Sequence, residues 1–143
     1  MQIGYPDRKA EREILISHRD GEPVDKLGPV LEAEKVVELQ QITRHVRVDN
    51  SLADYILDLV AATRSHAEVT VGASPRAALG LYHSAQALAL LEGRNYVVPD
   101  DVKRLAEPVL AHRMITHGMW QGTRELPASE VIRGILAKTA VPT

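Results

Sequence analysis

Four of the chain's eight prolines stand at the head of an apolar stripe, and this punctuation restricts the fold more than any other feature. Proline has no N–H and a φ fixed near −65°, so it is tolerated in the first turn of a helix and resisted inside one. Pro6-Asp7 precedes Ala10, Ile14 and Leu15. Ser74-Pro75 opens a stripe through Leu79, Tyr82, His83, Gln86, Leu90 and the alanines between them, and the stripe ends at Gly93, a residue suited to a left-handed C-terminal stop. Pro99-Asp100-Asp101 leads into Val102, Leu105, Ala106, Val109, Leu110 and Met114. Pro108 inside this stripe should kink or shorten the helix. Pro127 precedes Val131, Ile132, Ile135 and Leu136.

Two further helices lack a proline. One is expected over residues 32–43, with Val36, Val37, Leu39 and Ile42 buried. The other is expected to start with a Ser51–Asp54 capping box and to bury Leu52, Ile56, Leu59, Val60 and Thr63, a clear 3.6-residue period. His45–Asp49 alternates and reads as a very short strand or an extended link. Residues 20–30, 65–73 and 117–126 read as loops or irregular chain. The expectation is an all-α bundle of about six helices. At 143 residues it is long enough for one domain with its own core.

Composition removes several classes of function. Without cysteine there is no thiol catalysis, disulfide or thiolate metal site. The net charge is −2 and the only aromatics are Tyr5, Tyr55, Tyr82, Tyr96 and Trp120, so no nucleic-acid partner is expected. No apolar run approaches the about 18 residues of a membrane span, and no apolar leader is present, which suits a cytoplasmic protein. Neither a G-x-x-x-x-G-K-[ST] loop nor a G-x-S-x-G elbow occurs, and the six histidines form no i, i+4 pair, so no metal site is expected.

One residue is physically odd. Arg76 falls in the first turn of the helix that Pro75 opens, where the helix dipole is already positive. Two readings follow: the guanidinium and the helix end meet an anion such as a phosphate, or the arginine is solvated or paired with an acid such as Glu68. Arg64 and Arg94 follow helix C-termini, where a cation needs no special role.

Several stretches together resemble the C-terminal lid domain of MoxR-type AAA+ ATPases: Ile3–Asp7, Glu13–Leu15, Tyr55-Ile56, Thr63-Arg64, Gly72-Ala73-Ser74-Pro75-Arg76-Ala77, Leu88–Val97, Pro99–Val102 and Val109–Arg113. They occur in family order over nearly the whole chain, with residues 117–143 matching only loosely. Val98 departs from the pattern, because the family often has a capping threonine there. The resemblance implies that residues 1–5 end a core–lid junction, 6–116 are lid helices, and 117–143 are an extension with a last helix. It implies that Walker A, Walker B and the other core motifs lie upstream.

The same resemblance makes Arg76 the sensor 2 arginine that reaches the γ-phosphate of ATP, with Pro75 aiming it and Tyr5 and Pro6 near the adenine. ATP with Mg2+ would be bound by the intact protein and not tightly by this segment, which alone would be inactive. The implied setting is a homo-hexamer that couples hydrolysis to chaperone-like remodelling or assembly, sometimes with von Willebrand factor A-domain proteins. The alternative is a stand-alone helical protein-interaction module without nucleotide function.

Overall fold

The structure is a computed structural model, and it describes residues 4–19, 21–117 and 127–142. Among them are six α-helices: α1 (Arg8–Ser17), α2 (Ala33–Arg44), α3 (Asn50–Ser65), α4 (Pro75–Leu91), α5 (Pro99–Leu110) and α6 (Ala128–Lys138). A 3-10 turn at Pro23–Lys26 and another at Ala111–Arg113 complete the helical elements. The all-α expectation holds, with one addition. Val69–Val71 (β1) pairs antiparallel with Ile115–Thr116 (β2), where 65–73 reads as loop from sequence. Trp120 and the irregular stretch after 117 lie outside the described residues.

The chain divides into two compact units, residues 1–38 and 39–143. In the first, Asp7 caps α1 by accepting from the Ala10 N–H at 2.8 Å, so Pro6 sits just before the cap rather than inside the helix. None of the described residues of this unit is buried, Ile14 and Leu15 included. The burial expected for the α2 stripe is likewise not found. Val36, Val37, Leu39 and Ile42 are 42–51% exposed. Periodicity identifies an apolar face; it does not supply the element that covers it.

The second unit holds the core. Leu52, Ile56, Leu59, Val60 and Thr63 of α3 are buried as their period requires, joined by Tyr55. Asp49, not Ser51, caps α3: its carboxylate accepts from the Ser51 N–H at 2.9 Å and the Ser51 hydroxyl at 2.8 Å. The α4 face is the expected one only in part. Its buried side is Ala77, Ala78, Leu81, Ala85, Gln86 and Ala89, while Leu79 is exposed. Small side chains let α3 and α5 approach α4 closely. Val102, Ala106 and Leu110 of α5, then Met114, and Val131, Ile132 and Ile135 of α6 close the core. Pro108 lies two residues before the end of α5, which passes into the 3-10 turn there. The His45–Asp49 link forms a single bridge. Arg47 donates its N–H to the Asn95 carbonyl and accepts from the Val97 N–H, both at 2.9 Å.

Candidate functional site

Arg76 is exposed on the first turn of α4, and the fold anchors α4 at each end. At the N-terminal end, the last turn of α3 grips Gly72-Ala73. The buried Thr63 hydroxyl accepts from the Ala73 N–H at 2.9 Å and donates to the Val60 carbonyl at 2.6 Å. The Arg64 Nε–H donates to the Ala73 carbonyl at 2.8 Å. Both backbone groups of Ala73, a 1% exposed residue, are thus satisfied by adjacent α3 side chains. Gly72 permits the approach: a Cβ there would fall 2.7 Å from the Arg64 Cα and Cγ. Ser74 and Pro75 then start α4 with Ser74 extended at the N-cap, though its side chain makes no capping bond. Arg64 therefore positions this turn, a role that its place near a helix end does not reveal.

At the other end, Gly93 has φ +74°. The Gly93 N–H donates to the Leu90 carbonyl and the Arg94 N–H to the Ala89 carbonyl, at 2.9 and 2.8 Å. This is a Schellman stop, in which glycine relieves the left-handed strain. It delivers Arg94 to α5, where its guanidinium holds both oxygens of Asp101 at 2.7 and 2.8 Å and one oxygen of Glu92 at 2.8 Å. Asp101, whose side chain is 2% exposed, also accepts from the Val98 N–H at 2.9 Å. Val98 supplies no cap of its own, and Asp101 supplies the reciprocal half of a capping box instead. Burial pushes the Asp101 carboxyl up, but the Arg94 hydrogen bonds, the Val98 N–H and the charges of Arg94 and Arg104 outweigh it and hold the group below its ordinary value. From sequence, Arg94 reads as a cation at a helix end that needs no special role. The usable signal was a valine at a cap position three residues before an acid.

Around Arg76 the charge is one-sided. Among the described residues no carboxylate lies within ion-pair distance of it, and the pairing with Glu68 is not formed. Arg113 is its neighbour and donates from Nη1 to the Arg76 carbonyl at 3.4 Å. Pro75 offers no N–H, but the first-turn N–H of Arg76 has no acceptor within the helix. A guanidinium and an N–H at a helix start form a donor set for an anion, and it fits a phosphate. A guanidinium and a backbone N–H are donors only, so these residues fit the phosphate of a metal–nucleotide pair rather than its metal. Tyr5 and Pro6 are exposed and belong to the first unit, Pro75 and Arg76 to the second. The groove lined by Ala53, Ile56, Leu57, Ala78, Leu79 and Tyr82, between α3 and α4, is almost wholly apolar and offers no comparable donor set.

Comparison with known proteins bears on this arrangement. The AAA lid domain family matches residues 61–134, just over half of the chain and the whole Thr63–Arg113 framework. The chain is 37% identical over 144 residues to the uncharacterized protein YeaC of Bacillus subtilis, covering 99% of this chain and 44% of that protein. It is 34% identical over 152 residues to the chaperone MoxR1 of Mycobacterium tuberculosis, covering 99% and 39%. A crystal structure described as "a putative ATPase from Cytophaga hutchinsonii" superposes with a TM-score of 0.80 at 28% identity, over 99% of this chain and 45% of that one. The chain thus spans less than half the length of these relatives. With the family match and these likenesses, the chain belongs to the AAA lid domain family, as a lid of the MoxR type.

Proposed function

We propose that this chain is the lid segment of a MoxR-type AAA+ ATPase, and that Arg76 is its sensor 2 arginine, contacting the γ-phosphate of bound ATP. The observation that carries this reading is the exposed guanidinium of Arg76, without a carboxylate partner among the described residues, on a helix start anchored by Thr63, Arg64 and Gly72. An arginine held this way stabilises charge on a phosphoryl group without reorganising during reaction. Bound ATP with Mg2+ would supply the transferring phosphoryl group, and this chain would supply Arg76, with Pro75 setting the start of its helix.

The rest of the machine follows from the same reading. The upstream core carries the Walker motifs, subunits assemble as a cytoplasmic homo-hexamer, and hydrolysis drives chaperone-like remodelling or assembly of partner proteins, von Willebrand factor A-domain proteins among them. Support for the chaperone role is the similarity to MoxR1, which is named a chaperone. The test is ATP turnover by the intact protein. Arg76→Ala should lower kcat by about 10²-fold, the scale of losing one preorganised charge-stabilising donor. Unchanged turnover at saturating ATP would refute the sensor role.

A further inference from the structure

Arg113 stands outside the role given to Arg76, yet the structure builds a place for it. It closes the 3-10 turn after α5, and its guanidinium lies across the first turns of α4. Gly80, in the interior of α4, makes this possible: a Cβ on Gly80 would fall 2.8 Å from the Arg113 Nη1. Glycine is the poorest helix former after proline, so a glycine at this point of α4 needs a reason, and the guanidinium is one. Two bonds orient the group. Nη1–H reaches the Arg76 carbonyl at 3.4 Å, and Nε–H donates to the His112 Nε2 at 3.1 Å.

The Arg76 backbone is therefore held on two sides. Upstream, α3 grips Ala73, three residues before it. At Arg76 itself, the carbonyl takes a bond from the exposed Arg113, in the 3-10 turn that directly follows α5. The groups without helical partners in a first turn are its N–H groups, so the Arg113 bond at the Arg76 carbonyl is an addition that ties the first turn of α4 to the 3-10 turn. This second contact bears on the backbone from which the exposed Arg76 side chain projects.

We propose that Arg113, seated over Gly80, is a positioning residue for Arg76, fixing the helix turn from which Arg76 reaches the nucleotide. The inference rests on the reading of Arg76 given above. A displaced catalytic group costs turnover steeply, because the reacting geometry tolerates only small errors.

The experiment uses the intact protein with Arg113→Ala and Gly80→Ala, each alone, together, and in an Arg76→Ala background. ATP turnover is measured, with ADP affinity by titration calorimetry. Arg113→Ala should lower kcat by roughly tenfold and leave ADP affinity unchanged, since ADP has no γ-phosphate to meet Arg76. Gly80→Ala should reproduce the loss although alanine is the better helix former, and the pair together should be no worse than Arg113→Ala alone. Neither change should matter once Arg76 is alanine. Normal turnover in both single variants, beside a loss in Arg76→Ala, overturns the proposal and leaves the Arg76 reading intact. A loss that persists in the Arg76→Ala background, or that carries ADP affinity with it, overturns it in favour of a general structural role. Normal turnover in Arg76→Ala removes the Arg76 reading and this inference together.

Discussion

Thr63→Val removes one hydroxyl from the clamp that starts α4 and preserves its volume and branching. The Thr63 side chain is fully buried and so is Ala73, so no water can replace the lost acceptor without opening the site. The Ala73 N–H would be left unpaired in the core, while the Val60 carbonyl keeps its own helical bond. Leaving a buried donor unsatisfied costs about 1–3 kcal/mol. In a unit of this size each kcal/mol moves the melting temperature by about 4–8 °C, so the variant should melt about 5–20 °C lower. Thr63→Ser keeps the hydroxyl and loses a methyl group, at about 1 kcal/mol. Thermal and urea denaturation of the chain would read both. A Thr63→Val protein as stable as the parent would refute the hydrogen-bond account of the clamp.

Other substitutions probe the remaining framework. Gly72→Ala places a Cβ against the Arg64 backbone and should cost about 1–3 kcal/mol in urea denaturation, whereas Gly134→Ala, in α6 with nothing within 4 Å of its Cβ, should gain about 0.4–1 kcal/mol. Asp101→Asn should lose on the order of 2 kcal/mol at neutral pH by leaving Arg94 without its buried partner. The native Asp101 carboxyl lies below its ordinary 3.8, so its contribution is complete above that pH and is lost as pH falls through the native value; the gap between parent and Asp101→Asn should therefore close below about pH 4 in melts across pH. The Tyr55 hydroxyl is buried without a partner in the described structure, so Tyr55→Phe should leave the melting temperature unchanged or raised.

What the sequence disclosed follows the range of each interaction. Helix starts at Pro75 and Pro99, the buried stripe of α3 and the glycine stop at Gly93 depend on neighbours within a turn, and all were legible. The β1–β2 pair was not, since strands of three and two residues are too short to display alternation. The α4 face was legible in its alanines and Gln86 but not in its leucines, since Leu79 is exposed and Leu81 is buried. Arg76's place in the first turn of α4 was legible because Ser74-Pro75 is a local helix start. Arg64, Arg94 and Arg113 were not, because their partners Ala73, Asp101 and Arg76 lie 9, 7 and 37 residues away. The exposed α2 stripe shows the converse: a correct amphipathic pattern with no covering element among the described residues.

The central claim, that Arg76 faces the γ-phosphate of ATP, is tested most directly by nucleotide affinity in the intact protein. Dissociation constants for ADP and a non-hydrolysable ATP analogue would be compared between the parent and Arg76→Ala. The account predicts weaker analogue binding with ADP binding unchanged. An equal loss for both nucleotides, or no loss for either, would contradict it.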